Sequence, residues 1–395
     1  MALRIDITGL PTTRLRFAAS PLAELTAMLH ALSAAGHHPH LAGWTADVRG
    51  RLRPELAERL LEAEFLWRSS RADFLLPARP RPTLHEELDD VDRIDDERYV
   101  AAALVTTCGN DRVHFGDASP LTDSAARDRA LERAQARGAV QEAFAERLLA
   151  DPAAVRTRVR GTLEQCADAF FDAAWPALAA RLATDVRVKN DLLARKGLAD
   201  ALASVSAAVV LVPGHEHGGG ERDGEGRPAD GRPGQGRPGK GRGPAGGAHI
   251  VVDKLQDAAI TARRTGVTFI PTVFGTPHLV AVHAHTRRPV LQYPVADERG
   301  TADAVVSLGI VERRLKALAH PVRLRLVRTL ARGPHTTGEL ADAWGLTAPE
   351  VSRHLAELRR AGLLDAERHG RYVRYSLDAT ALTTLGADLL SAVLR

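Results

Sequence analysis

Cysteine is almost absent. Cys108 and Cys166 are the only two in 395 residues, too few for a disulfide scaffold and in keeping with a reducing cytoplasm. No apolar run approaches the ~18–20 residues that a membrane-crossing helix needs. The opening MALRIDITGLPTTRLRF lacks the basic stretch and apolar core of a secretory leader, so a cytoplasmic protein with no membrane partner is expected. Lysine is scarce as well, with only five, and nearly all the positive charge is arginine, a bias that fits a GC-rich genome. The hydrophobic share of 45% and charged share of 26% are those of an ordinary soluble globular protein, and the length suggests two or three domains.

The charge is unevenly placed. The formal net charge is +4, yet residues 311–395 carry 14 Arg plus Lys against 9 Asp plus Glu, so the other 310 residues sum to −1. A basic excess confined to one end is the footprint of a nucleic-acid-binding module on a near-neutral partner.

Four regions follow from the residue pattern. Residues 1–204 read as a mostly helical regulatory region. Ser20-Pro21 is an N-cap with proline at the first helical position, and Pro54 opens a second helix. Ala/Leu-rich stretches between 125 and 203 keep helical spacing, with interruptions expected at Asp151-Pro152 and Trp175-Pro176. Residues 205–296 read as β-rich, from SAAVVLVP and HIVVDK to VTFIPTVF, HLVAVHAH and PVLQYPV. Residues 214–248 form a Gly/Pro/Arg segment expected to be a disordered expansion of a hairpin loop. Such an insertion costs only ~0.6 kcal/mol per doubling of loop length. Residues 297–310 are a polar linker, and 311–395 form the last domain.

In that last domain VERRLKALA places Val311, Leu315 and Leu318 on one helical face, and His320-Pro321 starts the next helix. Arg323 falls within the apolar arc of that helix and is expected to snorkel or to pair with a carboxylate. Thr336/Glu339 and Thr347/Glu350 both have capping-box spacing. They open two short helices around a turn at Gly345, the layout in which the second helix enters the DNA major groove. Ser352 and Arg353 are the leading base readers, since arginine can bond guanine twice. The helix start at Thr347, Ala348 and Pro349 approaches the backbone, His354 reaches phosphate, and Arg360 shares the outward face. DAERHGRYVRYSL reads as a β-hairpin wing with Arg368, Arg371 and Arg374 at or near its tip. Leu382, Leu385, Leu389 and Val393 form an apolar stripe on the last helix, which with Leu315 is expected to serve dimerisation.

LKALAHPVRLRLVRTL, ELADAWGLTAPEVSRHLAELRRAGLL and RHGRYVRYSL together resemble the winged helix of the ArsR family of bacterial regulators. The upstream RLRFAASPLAELTAMLHAL, FIPTVF and PVLQYPV are similar to an uncharacterised domain fused to such winged helices. The fold class implied is α+β, with a C-terminal winged helix-turn-helix after a helical region and a small β-rich region. The resemblance implies a homodimer that represses at double-stranded operator DNA and alters its grip when a signal arrives. Metal-sensing members carry Cys-x-Cys on the first helix of the helix-turn-helix, or His and acidic ligands on the last helix. Here GELADAW and ATALTTLGADLLSAVLR contain neither Cys nor His, so a non-metal signal, for example a small-molecule effector, is expected to act through the N-terminal region. No cofactor and no catalytic or metal-ligating set is assigned.

Several patterns imitate chemistry. Gly234 to Lys240 fits phosphate-loop spacings but lies in a low-complexity repeat without the required strand and helix. His30, His37, His38 and His40 cluster near a loop and have the chemistry to hold zinc, but with no Cys nearby and no distinctively placed carboxylate they read as packing and surface residues. HEELDDVDRIDDER reads as a solvated acidic segment, and Cys108 with His114 lacks an orienting third group. Two other readings of the N-terminal region stand beside the sensor: an interaction or dimerisation scaffold, and an enzyme fused to a DNA-binding module.

Overall fold

A computed structural model describes residues 2–394 except 69–70, 109–117, 207, 215–246, 254–257, 284–286, 296–305 and 370–371. Expectations for His114, Arg371 and the phosphate-loop imitation fall outside the described residues. Eleven strands are described, β1 (Ala2–Asp6), β2 (Leu15–Phe17), β3 (Val209–Val212), β4 (His249–Asp253), β5 (Ala258–Thr261), β6 (Val267–Thr272), β7 (Val280–Val282), β8 (Val290–Pro294), β9 (His335–Thr336), β10 (Leu364–His369) and β11 (Tyr372–Leu377).

One sheet has the order β3-β4-β1-β5. β1 buries Leu3 and Ile5 while Arg4 stays exposed, the period-two pattern of a strand with one covered face. It runs antiparallel to β4, with Ile5 opposite Ile250, and parallel to β5. β3 and β4 pair directly, Val212 opposite His249, so the strands flanking the Gly/Pro/Arg segment are neighbours as expected. The second sheet has the order β2-β6-β8-β7. β6 is buried along its whole length, as a strand covered on both faces must be. The early strands β1 and β2, and β5, were not anticipated.

The helix Pro21–Ser33 begins where the sequence places it. Ser20 Oγ accepts from Ala23 N at 3.0 Å and Pro21 occupies the first turn. Every residue from Pro21 to Leu32 is buried, so this helix lies inside the protein, and its polar side chains need partners. Glu24 accepts from Val273 N and Phe274 N, each at 3.0 Å. Arg71 donates to Gln292 Oε1 at 3.1 Å and to Thr26 Oγ1 at 3.3 Å.

Two helical expectations change. Trp175-Pro176 does not interrupt its helix, because Asp172–Lys196 runs through Pro176. A π-turn over Ala167–Phe171, with Asp172 N donating to Ala167 O, shifts the bonding just upstream of the proline that lacks an N–H. The acidic segment is also less solvated than expected. In Leu84–Asp92 the Arg160 guanidinium bonds Asp89 at 2.8 Å and also Asp92. Glu87 is buried, accepting from Ser20 Oγ, Leu22 N and Arg81 N at 2.9, 2.7 and 3.0 Å.

The C-terminal residues form their own core. Leu326, Leu330, Leu340, Val351, Leu355, Leu358 and Leu363 pack together and are almost fully buried. β10 and β11 pair antiparallel from Leu364/Leu377 to His369/Tyr372, and β9 adds to β11. The chain is thus α+β, with a winged helix-turn-helix after a region of helices and two small sheets.

Candidate nucleic-acid interface

The helix Thr337–Trp344 is closed by a capping box in which Glu339 Oε2 accepts from Thr336 N at 2.7 Å and Thr336 Oγ1 accepts from Glu339 N at 3.3 Å. Gly345, at φ 62°, ends it in the left-handed conformation that costs a glycine little. The next helix, Ala348–Arg360, starts with Glu350 Oε2 accepting from Thr347 N at 3.0 Å and from Thr347 Oγ1 at 2.8 Å. These bonds hold the Glu339 and Glu350 carboxyls below the usual range. Each carboxylate is also favoured by the positive end of its helix.

Val351, Leu355 and Leu358 lock that second helix to the core, which turns the opposite face outward. Thr347, Ala348, Pro349, Ser352, Arg353 and Arg360 are exposed on it. Arg360 pairs with Glu357 at 2.5 Å. His354 is half-buried with its ring 4.8 Å from that of His320, and burial, with His320 and Arg323 nearby, pushes its pKa down. It is therefore less available to phosphate than Ser352 or Arg353. On the hairpin Arg368 and Arg374 are exposed, and the wing is tied to the helix-turn-helix through Arg374 opposite Thr336.

Arg323 does not pair with a carboxylate, one of its two expected roles. Its Nε donates to Ala317 O at 2.5 Å and its Nη2 to Lys316 O at 2.9 Å. It satisfies carbonyls at the end of the preceding helix, which have no partner within that helix, rather than a carboxylate. Of the expected dimer residues, Leu315 and Val393 are exposed at 40% and 54%. Leu385 and Leu389 are half-buried, and Leu382 packs on the domain's own core. The helices Leu308–Leu318 and Leu385–Val393 are joined by Arg314 and Asp388, 2.7 Å apart with side chains 13% and 10% exposed. Nothing in the sequence signals this pair, because its members are separated by a hairpin and four helical segments.

A family described as "Family of unknown function (DUF5937)" matches residues 1–299. The chain belongs to that family. Beyond the family's match, a helix-turn-helix domain matches residues 318–367. The C-terminal part is similar to the HTH-type transcriptional regulator YgaV of Escherichia coli, 40% identical over 19% of this chain and 77% of that protein. It is also similar to a biofilm growth-associated repressor of Agrobacterium fabrum, 37% identical over 21% of this chain and 65% of that protein. Among solved structures, the transcriptional repressor BigR from Xylella fastidiosa is 38% identical, covering 20% of this chain and 82% of that one with a TM-score of 0.18. In this member of the family, then, a region of unknown function precedes an ArsR-like winged helix-turn-helix of a DNA-binding regulator.

The remaining residues give two further observations. Among the described residues no helix is long and apolar enough to cross a membrane. Also, the group His30, His37, His38 and His40 gains a member invisible to sequence spacing, because the loop after β6 brings His278 against His30.

Proposed function

We propose that this protein is a transcriptional repressor that binds its operator as a homodimer in the cytoplasm and is not an enzyme. Ser352 and Arg353 read base edges in the major groove. Thr347, Ala348 and Pro349 approach the backbone, with His354 and Arg360 flanking. Arg368, Arg371 and Arg374 place the wing on phosphates. Leu315, Leu382, Leu385, Leu389 and Val393 form the dimer seam, with the linker 297–310 joining the regulatory region to the domain 311–395. The observation that carries this reading is the capped second helix, locked by Val351, Leu355 and Leu358, with Ser352 and Arg353 exposed beside a basic hairpin.

The signal enters through the N-terminal region, and it is something other than a metal ion held on the winged domain's own helices, which contain no Cys or His at the places metal-sensing relatives use. A small-molecule effector would raise the thermal stability of that region on binding.

Genome-wide mapping of binding sites tests the reading. The expected result is a set of two-fold-symmetric sites with half-sites ~34–36 Å apart, each lost on titration with specific competitor. Binding that tracks only DNA length and salt, with no shared sequence, would overturn it.

A further inference from the structure

Three imidazoles meet where the helix Pro21–Ser33, the loop after it and the loop following β6 come together. One ring nitrogen from each of His30, His38 and His278 lies within 4.8 Å of the other two. Glu24, on the same helix as His30, grips Val273 and Phe274 in the loop that bears His278, so both segments are held by one rigid element.

The hydrogen bonding fixes which nitrogens are free. His30 Nδ1 bonds Trp67 O at 3.0 Å, His38 Nδ1 bonds Thr276 O at 2.7 Å, and His278 Nδ1 bonds Leu394 O at 2.9 Å. A carbonyl only accepts, so each Nδ1 must carry the hydrogen and each neutral ring leaves a lone pair on Nε2. Yet His30 Nε2 and His278 Nε2 are 3.0 Å apart, lone pair facing lone pair. His38 Nε2 is buried with no hydrogen-bond partner. Three inward lone pairs in a buried place are unfavourable unless a Lewis acid or a proton sits among them.

We propose that His30, His38 and His278 are a binding site for a divalent transition-metal ion of the zinc class. The parts match what such an ion requires. Its ligands must be unprotonated imidazoles, each oriented by its other nitrogen on a carbonyl or carboxylate. Two nitrogens ~2.0–2.1 Å from a tetrahedral ion are ~3.3 Å apart, close to the separation of His30 and His278. The fourth position has access from a cavity of about 720 Å³ lined by His30, His37 and His278 together with Val393 and Leu394, and His37 Nδ1 is buried there without a partner. Coordination at Nε2 makes the opposite N–H of His278 a stronger donor, and its acceptor is the carbonyl of Leu394 just past the last helix. The site does not depend on the DNA-binding reading.

The test is metal binding by the full chain without DNA. Chelator-stripped protein is titrated with Zn²⁺ against a chromophoric competitor, and with Co²⁺ for its visible spectrum. One ion per chain is expected, with a tetrahedral Co²⁺ spectrum. His38→Gln and His278→Gln should weaken zinc at least ~100-fold, while His85→Gln, at an exposed histidine on another helix, should not. X-ray absorption of the zinc-loaded wild type should show three imidazoles, a readout that stands even if a variant fails to fold. No bound ion, undiminished affinity in folded variants, or fewer than three imidazoles would each overturn the proposal.

Discussion

Replacing Asp388 with alanine should cost the winged domain about 3–5 kcal/mol, because it strips a buried cation of its counter-charge. Arg314 and Asp388 are 2.7 Å apart, with side chains only 13% and 10% exposed, and they join the first and last helices of the domain. Neither group regains water when its partner is removed in a site this closed. Thr384 Oγ1 lies 3.3 Å from the same carboxylate but also donates to Thr380 O at 3.0 Å, so it keeps an acceptor and the loss falls on Arg314. Replacing both members, Arg314→Met with Asp388→Leu, removes the stranded charge, so the double variant should lie within ~1 kcal/mol of wild type or above it. Raising the salt should change little, since buried pairs are weakly screened. By contrast Lys316 and Glu312, 78% and 54% exposed, form a pair worth ~0–1 kcal/mol that salt erodes. Native-state hydrogen exchange reads the opening free energy of these helices apart from the rest of a multidomain chain. A single-variant loss below ~1 kcal/mol, or a double variant as unstable as the single, would refute the reasoning.

The other predictions concern the interface and the buried acid. Arg353→Ala should relax preference at one base position and cost about 1–3 kcal/mol there, read from affinities for a panel of single-base operator variants. Arg374→Ala should weaken all sequences alike and flatten the salt dependence by ~0.9 per protomer; for a dimer that is ~12-fold less affinity lost between ~50 and ~200 mM salt. Leu355→Ala empties a fully buried position on the inner face of the helix Ala348–Arg360; hydrogen exchange should register a loss of about 2–5 kcal/mol. Burial pushes the Glu87 carboxyl up to about 7 from its ordinary 4.5, so the folded chain holds this proton longer than the unfolded one. Its contribution to stability is therefore full below pH 4.5 and lost as pH rises through about 7. Glu87→Gln should remove that fall from a plot of unfolding midpoint against pH.

What was legible in the sequence was local. The boxes Thr336/Glu339 and Thr347/Glu350, the cap at Ser20-Pro21 and the turn at Gly345 are each read within four residues, and all are present. The outward face of the recognition helix followed from the 3.6-residue period alone. β1 was missed because five residues carry too little alternation, and its partners lie at 249–261. Trp175-Pro176 misled because the proline lies near the start of Asp172–Lys196, just after a π-turn, and the helix runs on through it. Arg323 found backbone carbonyls that no pattern of charges can reveal. The histidine group was read as packing and surface residues because His278, more than two hundred residues on, is invisible to local spacing, and it completes the group with His30 and His38.

The place of β1 inside its sheet also sets a timetable for synthesis. Its neighbours β4 and β5 are encoded some 240 residues later, and ribosomes add ~5–20 residues per second, so this strand waits on the order of tens of seconds for a partner. Until then Leu3 and Ile5 lack the strands that flank them, so β1 waits for most of the region to be made before it can be locked into its sheet. A nascent-chain experiment would find the sheet closing only after residue 261 has emerged, which makes the newly made chain a client for whatever shields apolar segments in the meantime.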